Sequence, residues 1–262
     1  MTKRAMAIAA HPDDIEFMMA GTLILLKQAG YEIHYMTLSD GNCGSMTLDS
    51  ETTAKVRIQE SKDSAQILGA EYHLPICNDF EIFYDKETLQ KLTAVIRSVQ
   101  PEIILTHPPV DYMEDHMNTC RLTVTAAFVR GIPNYKAGNS MPTNVDCTIY
   151  HALPHGLKDP LRRNVVPGIF VDVSSVYDTK LKALSAHKSQ HEWLDSSQKM
   201  NSYLKFLDDI AQKVGKMSGN FKYAEGWRRH LHYGFGSEDA DPLKDLDGNY
   251  LLNNAYEDSL TR

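Results

Sequence analysis

Apolar positions fall into an alternation of short continuous runs and longer amphipathic stretches through the first half of the chain. Lys3 to Ala10 carries the run Ala5-Met6-Ala7-Ile8-Ala9 and predicts a buried strand. Ile15 to Ala29 is apolar along its length and predicts one helix, stopped by Gly30. Glu32 to Leu38 predicts a second strand, followed by a turn-rich loop from Ser39-Asp40-Gly41-Asn42 to about Ser50. Glu51 to Leu68 predicts a helix closed by Gly69, Glu71 to Pro75 a short strand, and Lys86 to Val99 an amphipathic helix ahead of Pro101. Ile103 to Thr106 predicts a strand, His107 to Glu114 a loop with two prolines, and Asp115 to Arg130 a helix.

Four such alternations imply an α/β fold, a mostly parallel sheet with helices on both faces. The second half is less regular. Asp146 to Leu153 and Gly168 to Val173 predict strands, and Val176 to Glu192 and Ser196 to Val214 predict helices. Ligands of a parallel sheet sit beyond the carboxyl ends of its strands. Three polar loops meet that condition: His11-Pro12-Asp13-Asp14, Asp40 to Ser50, and His107 to His116.

An imidazole and two carboxylates within four residues at a strand end suit a divalent metal with an open position for water. A histidine after a strand is usually a polar loop residue, and Asp14 before Ile15 also fits a helix N-cap. A second Asp-His pair at another strand end favours the metal. His11 and Asp14 supply two ligands, His116 is the best third, and Asp115 is placed to orient a neighbouring group. Bound water at such a site loses proton affinity steeply, and Asp13 is placed to take its proton as it attacks a carbonyl. The chemistry is amide or ester hydrolysis without a covalent intermediate.

Composition narrows the partners. The chain has 262 residues and a net charge of −7, and the acidic stretch 237–262 contributes most of that charge. No basic surface for nucleic acid is implied. No apolar run approaches a membrane span, and the apolar segment after Met1-Thr2-Lys3-Arg4 is too short for a signal peptide, so a cytoplasmic location is expected. Cys43, Cys77, Cys120 and Cys147 are far apart and form no CxxC pair, which points to reduced thiols.

Ala10-His11-Pro12-Asp13-Asp14 resembles the signature of the PIG-L (LmbE-like) de-N-acetylases. Further matches follow in order: Thr37-Leu38-Ser39-Asp40-Gly41, Arg57-Ile58-Gln59-Glu60 with Leu68-Gly69, Asp115-His116, His187 with Ser189-Gln190, and Tyr223-Ala224-Glu225. The resemblance runs from about Lys3 to Phe235. It implies a single Rossmann-like deacetylase domain over 1–262, with an acidic C-terminal extension at about 237–262, and one zinc held by His11, Asp14 and His116. It implies Asp13 as general base, Asp115 as a second catalytic group, and Arg57 and His187 as substrate contacts. The substrate it implies is a small N-acetylated molecule of the N-acetylglucosamine type; homo-oligomers are common in the family.

One departure matters. The family's His-Pro-Asp-His reads Met113-Glu114-Asp115-His116, so the histidine that stabilises an oxyanion or protonates the leaving amine is absent. Either another histidine takes its place (His107, His151, His155 and His187 are candidates) or Asp13 carries both proton steps. Two alternatives to sugar N-deacetylation stay open: hydrolysis of a non-sugar amide or ester, and a metal-bearing binding or regulatory protein with little catalysis.

Overall fold

The computed structural model describes residues 2–190 and 203–261. Eight strands form one sheet in the order β3-β2-β1-β4-β5-β7-β6-β8. β1 (Arg4–Ala9), β2 (Glu32–Thr37), β3 (Glu71–His73), β4 (Ile103–Thr106) and β5 (Thr148–Ala152) are parallel. β6 (Ile169–Asp172), β7 (Ala224–Arg229) and β8 (Tyr250–Leu252) close the other edge antiparallel. The helices are α1 (Asp14–Met18), α2 (Ala20–Gln28), α3 (Ser50–Leu68), α4 (Lys86–Val99), α5 (Glu114–Val129), α6 (Tyr177–Leu184), α7 (Tyr203–Ser218) and α8 (Asn254–Leu260).

The continuous apolar run of β1 has a direct structural cause. Ala5, Ala7 and Ala9 enter one core with Leu23, Leu26 and Trp227, while Met6, Ile8 and Ala10 enter a second with Leu92, Ile96 and Leu122. Both faces of β1 are therefore covered, as in doubly wound sheets. β1 lies between β2 and β4, where the chain order reverses, so the loops after β1 and β4 open on one crevice.

The helix expected over Ile15 to Ala29 is two helices, broken at Met19 (φ −135°, ψ −24°). Distant side chains satisfy the backbone freed there. Glu225 accepts from the N–H groups of Gly21 and Thr22, both at 2.8 Å, and Lys180 Nζ donates to Phe17 O at 3.0 Å and to Glu225 at 2.5 Å. Glu225 is thus a structural ion pair with Lys180, not with Arg228 or Arg229. The helix expected from Val176 stops at Leu184, and the expectations for 191–202, Trp193 among them, lie outside the described residues.

The acidic segment 237–262 is built into the sheet. It supplies β8, Asp241 accepts from the hydroxyls of Tyr150 and Tyr250, and Asp245 accepts from Lys3 and Tyr31. Among the described residues all four cysteines are free, and no helix is long and apolar enough to cross a membrane.

Candidate active site

The loops after β1, β2, β4 and β5 line a cavity of about 730 Å³. At its floor His11, Asp14 and His116 bring one ligand atom each within 4.8 Å of one another. The local sequence explains the placement. Pro12 follows the last core position of β1, and Asp13 takes φ 103°, a left-handed conformation that costs a non-glycine residue about 1–3 kcal/mol. That turn starts α1 at Asp14 and sets both carboxylates at the crevice.

Asp14 is buried among imidazoles. His11, His107, His116 and His155 bring ring nitrogens to 3.4, 3.2, 3.4 and 3.5 Å of its oxygens. His107 Nε2 accepts the Ala10 N–H at 3.0 Å, which engages that nitrogen's lone pair, and the ring stacks on His116 with centroids 4.1 Å apart; His107, Asp111 and His116 form a further group with ligand atoms within 4.8 Å of one another. At the outer nitrogens of the two triad histidines stand carboxylates: His11 Nε2 hydrogen-bonds Asp115 Oδ2 at 3.0 Å, and Asp111 Oδ1 lies 3.1 Å from His116 Nδ1, which makes no hydrogen bond. Outer carboxylates of this kind fix the tautomer and orientation of metal-binding histidines. The donor set of two imidazoles and one carboxylate therefore fits a divalent first-row ion.

Electrostatics follow from this packing. Burial resists charge on His11, but Asp115 and Asp14 outweigh it and raise its pKa to about 10. His116 is raised to about 9 against the same burial, by Asp14 and Asp111. Burial raises Asp14 too, yet His116 and His107 hold it well below the usual carboxylate range. Asp13 moves the other way: burial raises it, with Arg57 in opposition.

Asp13 Oδ2 accepts from Tyr203 Oη at 2.7 Å and lies 3.5 Å from Arg57 Nη2. Arg57 also donates to Pro12 O, while its Nε and Nη1 are buried with no hydrogen-bond partner. Gly41, at φ +78°, permits this approach: a Cβ there would lie 2.8 Å from Arg57 Nε. Asp79 braces the same loop, accepting from Ser39 Oγ and from the N–H groups of Gly41 and Cys43. Glu60, one turn along α3 from Arg57, accepts from Ser189.

The structure brings His11, Asp13, Asp14, Arg57 and His116 together around the cavity and sets Asp115 directly behind His11. His187 lies behind the lining, close enough to act electrostatically on Asp13. It is fully buried with Nε2 3.2 Å from Glu16, and it is not part of the cavity wall. Met113 lines the cavity, and so does His155, whose Nε2 is buried, 3.5 Å from Asp14 Oδ1 and without a hydrogen-bond partner. Of the four histidine candidates, His155 is the one on the cavity wall; His151 points away, to His107 O and His230. Asp111, Asp79 and Tyr203 were given no role from sequence. Asp111 sat two residues before Met113 as a visible signal, but the contacts of Asp79 and Tyr203 span 36 and 190 residues and leave no local trace.

Residues 6–127 match the family model described as PIG-L, GlcNAc-PI de-N-acetylase. The chain is 32% identical over 235 residues to diacetylchitobiose deacetylase of Thermococcus kodakarensis, covering 86% of this chain and 82% of the relative. It is also 32% identical over 200 residues to 4-oxalmesaconate hydratase of Pseudomonas putida, covering 73% and 76%. The solved N,N'-diacetylchitobiose deacetylase of Pyrococcus horikoshii superimposes with a TM-score of 0.74 at 26% identity, over 92% of this chain and 88% of that one.

Proposed function

The chain belongs to the PIG-L, GlcNAc-PI de-N-acetylase, family, and from that premise we propose that it is a zinc-dependent hydrolase that removes an N-acetyl group from a small amino-sugar substrate. The observation that carries this reading is Asp13, a buried carboxylate beside the His11–Asp14–His116 triad at the floor of the cavity. Its support from relatives is the pair of deacetylases of Thermococcus kodakarensis and Pyrococcus horikoshii.

His11, Asp14 and His116 would hold the ion, with Asp115 and Asp111 fixing the two imidazoles. When bound there, a divalent ion supplies Lewis acidity toward a carbonyl oxygen and lowers the pKa of water. Asp13, its pKa raised by burial, accepts the proton of the attacking water. As the C–N bond breaks, the same carboxyl returns that proton to the leaving amine, leaving acetate and a free amino group. Tyr203 and Arg57 hold the Asp13 carboxylate on the cavity side through this exchange. His155 takes the place Met113 cannot fill: burial keeps its imidazole neutral, and a ring N–H can then donate to the carbonyl oxygen.

A second reading has its own observation. The unpaired Nε and Nη1 of Arg57 suit a substrate carboxylate, and a relative with the same 32% identity, over 200 residues rather than 235, is named a hydratase. Acetate release from a panel of N-acetylated sugars, measured with metal-free and zinc-loaded protein, separates the two. Release only after zinc loading supports deacetylation. No release from any sugar, with water added to an unsaturated dicarboxylate instead, overturns it in favour of hydration.

A further inference from the structure

A second group of metal-binding side chains lies on the sheet edge, outside the cavity. The parallel register sets His34 of β2 against Glu71 of β3, and Met36 against His73. With a period of two along each strand, His34, Glu71 and His73 project from one face. Their ligand atoms all lie within 4.8 Å of one another. His34 Nδ1 is 3.0 Å from His73 Nε2 and 3.7 Å from Glu71 Oε2.

We propose that His34, His73 and Glu71 form a second divalent-metal site, of the borderline type that Zn²⁺ fills. Two imidazoles and one carboxylate match the chemistry of that class. A shared hydrogen bond between the two imidazoles accounts for their 3.0 Å approach by itself. It does not account for Glu71, whose carboxylate stands 3.7 Å from His34 Nδ1 without a hydrogen bond. His34 Nε2 faces Glu32 Oε1 at 3.8 Å, and Glu32 is itself anchored by Arg4 at 3.1 Å. A carboxylate therefore stands on the side of the outer nitrogen, at longer range than those at His11 and His116. Glu71 is exposed, which leaves the remaining positions to water and makes the site a staple between β2 and the three-residue edge strand β3. An ion bound only by the folded chain raises its stability.

The experiment counts Zn²⁺ per chain by equilibrium dialysis near neutral pH, starting from chelated protein. Wild type is expected to bind one ion more than His73→Ala, and Glu71→Gln to bind that ion at least tenfold more weakly. Repeating the count on an Asp14→Asn or His116→Ala background removes the cavity triad. There the extra ion persists with His73 intact and vanishes with His73→Ala, and the rise in melting temperature on adding Zn²⁺ vanishes with it. Equal counts and equal thermal shifts with and without His73 overturn the proposal. Failure of the cavity triad to bind metal lowers every count alike and leaves the difference between wild type and His73→Ala unchanged.

Discussion

Glu225 and Asp14 are both carboxylates at the first two helices, both almost wholly buried, and their surroundings differ in kind. Each Glu225 oxygen meets donors at bonding distance: Lys180 and the Gly21 N–H on one, the Thr22 N–H on the other. The cluster is closed, and its residues do not line the cavity. Asp14 accepts one short bond, from the His11 N–H at 2.8 Å, while four imidazoles stand back at 3.2–3.5 Å. Nearby, Arg57 Nε and Nη1 and His155 Nε2 are buried without a hydrogen bond. A buried polar group without a partner costs about 1–3 kcal/mol. A fold carries such groups where a ligand completes them, so the contrast separates charge that holds the chain together from charge held ready for a ligand.

The contrast breaks if the two clusters respond alike to mutation. Glu225→Ala strands the Lys180 ammonium in the core and frees two amides at the α1–α2 break. Unfolding in urea should show a loss of about 3–5 kcal/mol, the usual result of removing one member of a buried pair. Combining Glu225→Leu with Lys180→Met should recover only part of it, because the Gly21 and Thr22 N–H groups remain unpaired. A loss below about 1 kcal/mol in the single variant would place Glu225 outside the structural class. Asp13→Asn should do the reverse. Its amide oxygen can still accept from Tyr203, but Arg57 loses the opposite charge 3.5 Å away, so stability should fall by clearly less than in Glu225→Ala. Turnover should drop by about 10²–10⁴-fold, the contribution of a positioned proton carrier. Full turnover in that variant would take the proton steps away from Asp13.

What the sequence made legible follows the same division. β1 could be read because its apolar run needs no partner to be recognised, and His11 to Asp14 because their chemistry is concentrated in one turn. The parallel alternation over β1 to β4 is legible for the same local reason. The break at Met19 was not, since Ile15 to Ala29 is apolar throughout and the groups that stabilise the break come from Lys180 and Glu225. The strand β7 hid behind charged residues: Glu225 points inward to a lysine, and Trp227 alone carries a large apolar side chain into the core. The segment 237–262 looked like an acidic extension because its net charge is visible and its tyrosine and lysine partners are not. His155 was one candidate among four because a histidine in a Pro-His-Gly turn has no local mark of direction.

Arg57→Lys is the mildest test and the one that sharpens the contrast most. Arg57 does two things with different parts of one guanidinium. Nη2 meets Pro12 O and the Asp13 carboxylate, while Nε and Nη1 are buried with no hydrogen-bond partner. Lysine keeps the positive charge, and with it the Coulombic opposition to the raised pKa of Asp13. It loses the planar fork, since an ammonium on a flexible stem cannot serve the Pro12–Asp13 side and a substrate oxygen together. If the unpaired nitrogens are a substrate contact, KM should rise about tenfold, roughly 1.4 kcal/mol of binding, with kcat changed only a few-fold. If kcat falls and KM holds, the guanidinium acts by fixing the strained Asp13 turn, and Arg57 belongs with Lys180 among the residues that hold the chain rather than the ligand.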